Sequence, residues 1–377
     1  MKPLNTTKKK LLILTTTLPR WEGDSEAPFV LNQAKELSKY YEVHVLAPYH
    51  PGSKKEEVID EVFIHRFRYW SKENLAYGAG ILNNFKKGFS NKVQAPLLVL
   101  SMLLKTRGLI RKHKISFVNA WFSIPAGYIA SLFSIPYILT VPGSDINSQG
   151  FQSFKVRAYS KASKIVVLSN ALQDQVKNAG FDSEVIPIGV NEELFSFKEG
   201  RDSNEILFVG RLNEQKGCQW LIKALPLIRK EKDVILNIVG EGDYEHELKK
   251  LVREEEVEKF VNFLGPKGNN ELQEYYQKSS VFVMPSQNYE GLGLVLAEAM
   301  LCGTPVVGAN VGGIPSLIID GVTGVLAKQK SPESIAEAVL KQLSPNPEMV
   351  KDAHDHIKNN YTWPSIGTKH KEVFDEI

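Results

Sequence analysis

Short apolar runs alternate with helical stretches twice along this chain, and that alternation leaves few folds open. In the first half, Lys10–Leu14, Val43–Leu46, Phe117–Asn119, Tyr137–Thr140 and Lys164–Leu168 read as buried parallel strands. Between them, Phe29–Lys39 spaces Phe29, Val30, Ala34 and Leu37 as one helix face does. The second half repeats the scheme with strands at Glu205–Val209, Val234–Val239, Val261–Leu264, Val281–Met284 and Pro305–Gly308. Helices are expected there over Gln219–Arg229, Glu245–Glu255, Asn270–Lys278 and Leu292–Leu301. Such a pattern predicts an α/β protein built on doubly wound parallel sheets.

A chain of 377 residues is too long for one ordinary core. The expected division is a Rossmann-like N-terminal domain over 1–185, a linker over 186–202, a second Rossmann-like domain over 203–345 and a helical segment over 346–377. Pro187, Gly189 and a charged stretch mark the linker. The last segment reads as one or two helices broken at Trp363–Pro364, able to cross back over both domains. Two such sheets facing each other form a cleft, with ligands beyond the carboxyl ends of the strands.

Bulk properties exclude several classes. Cys218 and Cys302 lie far apart and form no CxxC pair, which argues against a disulfide framework or a structural zinc site and fits a reducing compartment. The Lys8–Lys10 cluster before Leu11–Leu14 has the flavour of a leader, but the apolar run is short and ends in three threonines, so a buried first strand is the better reading. The longest apolar run, Leu97–Leu100 with Met102–Leu104 after Ser101, falls far below the roughly 20 residues of a membrane span. A cytoplasmic protein, peripheral on the membrane face, is expected. Charge is divided unevenly. Residues 1–185 carry 25 Lys+Arg against 14 Asp+Glu, a net of +11, and the remainder 21 against 29, a net of −8. The first half is therefore the one expected to meet an anionic partner.

The stretch Ser286 to Met300 carries the most chemistry. It leaves an apolar strand and enters a helix, with Gly291 and Gly293 letting a ligand approach the backbone and free amides at the helix start. Glu290 precedes that helix, and Glu298 lies among Leu296, Ala297, Ala299 and Met300, where a carboxylate is costly unless paired. Eight residues of helix rise roughly 12 Å, a span that suits the two ends of a nucleotide diphosphate-sugar. Glu290 alone reads equally well as an acid favouring the helix dipole. A second element, Gly210-Arg211-Leu212-Asn213-Glu214-Gln215-Lys216-Gly217, places two cations after a strand where they can converge on a diphosphate. It is not a Walker loop, since Gly217 stands where Ser or Thr is required. Gly240-Glu241-Gly242 begins like a dinucleotide fingerprint, lacks its third small residue, and reads better as a turn leading into a helix.

Taken together and in order, these motifs resemble those of the GT-B glycosyltransferases of the large retaining family 4. The likeness runs through nearly the whole chain and includes Ile186-Pro187-Ile188-Gly189-Val190 and Gly312-Gly313-Ile314-Pro315. The resemblance implies catalytic roles for Glu290, Arg211, Lys216 and Asp145: Arg211 and Lys216 on the donor diphosphate, Glu290 on the donor sugar, Asp145 on sugar or acceptor. It implies that Glu298 holds the ribose, that Gly291, Leu292, Gly293 and Leu294 complete the phosphate site, and that Gly265 lies near the base. The loop Trp21-Glu22-Gly23-Asp24, with Gly23, is placed near the acceptor. In one place the chain departs from the family: Pro142-Gly143-Ser144-Asp145 stands where members often carry His-Gly-x-Asp, so that imidazole is missing.

The implied reaction moves a hexose-type sugar from a nucleotide diphosphate-sugar to an acceptor hydroxyl with retained configuration, a leaving phosphate oxygen taking the acceptor proton. No cofactor beyond the donor substrate is expected, and no metal, since no His/Asp cluster shows ligand spacing. Residues 84–114 hold eight Lys+Arg and no acid, interleaved with apolar residues. That suits an anionic membrane surface and a glycan or lipid-linked acceptor, or simply the basic face of a folded helix pair. Nucleic acid is not expected, for want of a stacking platform. Two rivals remain: a nucleotide-sugar epimerase on the same scaffold, and a catalytically silent nucleotide-sugar-binding protein.

Overall fold

Lys-Leu-Leu-Ile-Leu near the start of the sequence can be buried on both faces only as an inner strand, and that is where it lies. In the computed structural model, Leu11 to Leu14 are fully buried, and this strand, β1 (Lys10–Leu14), pairs in parallel with strands on both sides. The structure describes residues 8–21, 24, 28–70, 75–77, 81, 84, 89–143, 146, 151–200, 203–287 and 290–377. They form two compact units. The first comprises 1–168, 172–186 and 366–377; the second comprises 169–171 and 187–365.

In the first unit β1 is followed by β2 (Glu42–Pro48), β3 (Glu56–Ile59), β4 (Val62–Phe67), β5 (Phe117–Trp121), β6 (Tyr137–Val141), β7 (Lys164–Val167) and β8 (Glu184–Val185). Their order across the sheet is β3-β4-β2-β1-β5-β6-β7-β8. Winding starts at β1, moves outward through β2, then resumes on the other side at β5, which makes β1/β5 the switch point. The helices include α1 (Pro28–Ser38), α2 (Phe89–His113), α3 (Gln152–Lys161) and α4 (Asn170–Asn178). The sheet is mixed, because β3 runs antiparallel to β4 across Asp60-Glu61, both in the left-handed region. The sequence reading has no strands at β3 and β4. Glu-Glu-Val-Ile at β3 is a charged, half-exposed edge, which has no apolar run to betray it.

Counting uninterrupted apolar residues also undersold α2. As one helix, its residues 92–113 are long and apolar enough, by length and composition alone, to cross a membrane. Leu98, Met102 and Leu109 of α2 are buried, whereas Val93, Leu100 and Leu104 stand exposed on another face beside Lys105 and Arg107.

The second unit holds six parallel strands: β9 (Glu205–Val209), β10 (Ile235–Val239), β11 (Val261–Phe263), β12 (Val281–Met284), β13 (Val306–Ala309) and β14 (Val325–Ala327). Their order is β11-β10-β9-β12-β13-β14. Here too the first strand is central, and the winding reverses between β9 and β12. The helices are α5 (Cys218–Arg229), α6 (Glu245–Glu254), α7 (Asn269–Lys278), α8 (Leu294–Leu301), α9 (Ile314–Leu317) and α10 (Pro332–Gln342). On α5, Leu221, Ile222, Leu225 and Ile228 share one stripe and are wholly buried against β9, β10 and α10 residues such as Ile335 and Val339. Each such side chain contributes about 1.5–3 kcal/mol, as an upper bound.

Two more helices close the chain, α11 (Pro347–Asn360) and α12 (Trp363–Asp375), with the break at Tyr361-Thr362, just before the expected Trp363–Pro364. Residues 366–377 belong to the first unit. There Phe374 is fully buried beside Tyr41 and Phe117, Tyr41 donates to Asp375 at 2.8 Å, and Gln33 meets His370 at 2.9 Å.

Candidate functional site

All strands of the second sheet point one way, so the loops that follow them gather along one edge. Arg211 and Lys216 follow β9, Glu241 follows β10, Gly265 follows β11, Ser286 and Glu290 follow β12, and Gly312-Gly313 follow β13. The β9 and β12 loops flank the switch point, the position at which open α/β sheets bind ligands.

The β9 loop is built as a short 3-10 turn over Glu214–Lys216, capped by Asn213, whose side chain accepts from the Lys216 amide at 3.0 Å. Gly217 ends it in the left-handed region, φ 74°. A Cβ on Gly217 would sit 1.9 Å from the Pro285 carbonyl oxygen, so only glycine lets the two loops touch. Their contact is reinforced where Gln287 donates to the Glu214 carbonyl at 2.7 Å and accepts from Trp220 at 2.9 Å.

At this junction Lys216 Nζ meets Glu290 Oε2 at 2.7 Å, and Ser286 Oγ donates to the same oxygen at 3.1 Å. The Glu290 side chain is only 14% exposed. Pairing with Lys216 cancels its repulsion of an approaching anion while leaving carboxylate lone pairs for hydroxyl groups. From the other side the Gly313 amide donates to the Glu290 carbonyl at 2.9 Å. A Cβ on Gly313 would fall 1.8 Å from the Gly291 carbonyl oxygen. The Gly-Gly pair after β13 thus seats the Glu290 backbone.

Beyond Gly291, where a Cβ would meet nothing within 4 Å, Leu292 and Gly293 are buried and Gly293 turns into α8 with φ 82°. The amides of Leu294 and Val295 head this helix and have no backbone acceptor among the described residues. Glu298 is the one acid of an otherwise apolar helix. Its carboxylate accepts from Tyr276 Oη at 2.8 Å, and Tyr276, on α7, is fully buried. Burial raises the Glu298 pKa to about 7, an effect the Tyr276 hydrogen bond partly offsets. The Tyr276 hydroxyl is itself pushed well above its usual range by burial and by the neighbouring carboxylate, so it stays a donor.

One expectation needs correction. Helix α8 begins at Leu294, so the stretch from Glu290 to Glu298 is loop followed by one turn of helix, and the eight-residue rise does not apply. Lys216 holds Glu290, while Arg211 is exposed and makes no ion pair among the described residues. Gly265 stands in the left-handed region, φ 69°, open on its Cβ side, and its carbonyl accepts from Gly240 at 3.0 Å. Asp145 and Gly23 lie outside the described residues. Near Gly23, Asp24 is taken up by Arg20 at 2.7 Å, and Trp21 is 47% exposed under that arginine.

The sequence reading missed Tyr276 and Ser286 as partners. Ser286 stood inside the key stretch and its four-residue spacing from Glu290 was a usable signal; Tyr276, on another helix, gave none. Also missed were His44, His65 and His113, whose ring nitrogens come within 4.8 Å of one another in the first unit.

Two family models divide the chain between them. The model described as Glycosyltransferase Family 4 matches residues 27–194, and the one described as Glycosyl transferases group 1 matches 190–363. An uncharacterized glycosyltransferase of Methanocaldococcus jannaschii is 28% identical over 334 residues, covering 85% of this chain and 91% of the relative. A putative teichuronic acid biosynthesis glycosyltransferase of Bacillus subtilis is 27% identical over 382 residues, covering 93% and 94%. Among solved structures, Anabaena HepE in complex with UDP superposes with a TM-score of 0.72 at 19% identity, covering 98% of this chain and all of that one.

Proposed function

This chain belongs to the group 1 glycosyltransferases of GT-B fold, and from that premise we propose that it moves a hexose-type sugar from a nucleotide diphosphate-sugar to an acceptor hydroxyl with retention. The observation that carries the donor side is the Lys216–Glu290–Ser286 cluster at the β9/β12 switch point, with Glu298 held by Tyr276 farther along the same motif. In this reading the ribose hydroxyls donate to Glu298 and the sugar hydroxyls to Glu290. The diphosphate lies between them, over the Leu294 and Val295 amides, with Arg211 free to close on it. Negative charge grows on the leaving diphosphate, so these donors bind the transition state better than the ground state. UDP in the HepE structure makes a uridine donor the first to try.

For the acceptor, the reading is a glycan or lipid-linked precursor met at an anionic membrane surface. Exposed Val93, Leu100 and Leu104 on α2, beside Lys105, Arg107 and Arg111, support surface docking rather than spanning. The assembly named for the teichuronic acid relative agrees in kind.

The test is a thermal-shift screen with UDP-, GDP- and ADP-sugars, since a ligand at 100 times its Kd stabilises by about 2.7 kcal/mol. One donor should stand out, and Glu298→Ala should abolish its shift. No response to any nucleotide-sugar sinks the proposal. Product analysis with donor alone separates transfer from epimerisation, because an epimerase needs no acceptor.

A further inference from the structure

Strands β2 and β4 and the end of α2 bring three imidazoles together in the first unit, apart from every residue assigned to the donor. His44 is buried, His65 and His113 are partly buried, and one nitrogen from each lies within 4.8 Å of the others. His44 Nδ1 and His65 Nε2 are 3.1 Å apart. Their outer nitrogens face carboxylates: His44 Nε2 meets Glu42 Oε1 at 3.1 Å, and His65 Nδ1 lies 3.8 Å from Glu56 Oε1. His113 Nε2 is buried with no hydrogen-bond partner, as is His65 Nδ1.

Neutral rings satisfy this arrangement only in part: with His44 donating to Glu42 and His65 Nε2–H donating to His44 Nδ1, the buried His65 Nδ1 and His113 Nε2 keep no hydrogen-bond partner. An imidazole carries one N–H and one lone pair. If both outer nitrogens donate to Glu42 and Glu56, the inner nitrogens of His44 and His65 meet lone pair to lone pair. If either inner nitrogen donates instead, the outer nitrogen of that ring turns its lone pair to a carboxylate. A cation among the inner nitrogens removes the conflict and gives His113 a partner.

We propose that His44, His65 and His113 form a zinc site, with Glu42 orienting the His44 ring from outside. Two nitrogens bound tetrahedrally at about 2.0–2.1 Å stand roughly 3.3 Å apart, close to the 3.1 Å between His44 and His65. A carboxylate behind a ligating ring is a usual support for such a site, and Glu42 stands so behind His44. Lys10, one of the neighbouring cations, is drawn off by Glu42 at 2.7 Å. Water completes the fourth position. The ion would pin the C-terminal end of α2 to β2 and β4, fixing the helix that carries the exposed apolar stripe.

The full chain, stripped with a chelator, is titrated with Co2+ and followed by its visible ligand-field absorption, then displaced with Zn2+. The expected result is one tetrahedral ion per chain, lost in His65→Phe and in His113→Gln, and kept in His246→Asn, which alters an exposed histidine of the second unit. Zn2+ in excess should raise the melting temperature of the wild type by several degrees and leave both variants unmoved. X-ray absorption of the zinc-loaded wild type, which needs no variant to fold, should show a shell containing three imidazole nitrogens. No stoichiometric uptake, uptake that survives both substitutions, or a shell poor in imidazole overturns the assignment. None of these readouts depends on sugar transfer.

Discussion

Replacing Glu298 with glutamine separates two consequences of one buried acid. In the free protein its pKa is raised from 4.5 to about 7, so the folded state holds a proton that the unfolded state has released. The sign follows from linkage: this group's contribution to stability is fully present below about pH 4.5 and is lost as pH rises to about 7. The loss is at most roughly 3 kcal/mol. Glu298→Gln escapes it, so the variant should be the more stable protein at pH 8 in urea. Binding runs the other way. Hydroxyl groups donate best to the ionised carboxylate, so donor affinity should follow the ionised fraction. That fraction drops about tenfold from pH 8 to pH 6 for a pKa near 7. Calorimetric titration of the best nucleotide-sugar at pH 6, 7 and 8 measures it directly, because the diphosphate diester has no proton to exchange in that range. Wild type should lose about tenfold in affinity, and Glu298→Gln should bind weakly at every pH without slope. A flat wild-type profile, or the same slope in both proteins, refutes the reasoning.

Lys216→Ala strips Glu290 of its counter-charge at 2.7 Å, so kcat/KM for transfer should fall about 100-fold or more with the fold intact by circular dichroism. Gly313→Ala drives a methyl group to within 1.8 Å of the Gly291 carbonyl oxygen; donor-induced thermal shift should vanish, with about 1–3 kcal/mol lost in chemical denaturation. Replacing Leu100 and Leu104, both more than half exposed, by aspartate should abolish co-sedimentation with anionic liposomes at low salt and leave donor binding unchanged.

Much of this was written locally. The strands β1, β9 and β12 are continuous apolar runs and came out with their observed ends, since burial on both faces admits little else. Strand β3 did not, because its two glutamates serve a solvent-facing edge. Glu298 could be suspected from its apolar neighbours, and the need for a partner followed, but the partner sits 22 residues away on α7. Lys216 was legible as a cation near phosphate; its hold on Glu290 spans 74 residues and depends on two loops meeting through Gly217. Likewise His44, His65 and His113 show no ligand spacing, being assembled by the pairing of β2 with β4 and the landing of α2.

The return of residues 366–377 to the first unit bears on how the chain is made. Synthesis proceeds from the amino end, so the whole of 187–365 leaves the ribosome before the segment carrying His370 and Phe374 does. Until then, the pocket beside Tyr41 and Phe117 lacks its last side chain, and Gln33 lacks its imidazole partner. The unit whose translation begins first therefore still waits for residues 366–377 when all of 187–365 has been made.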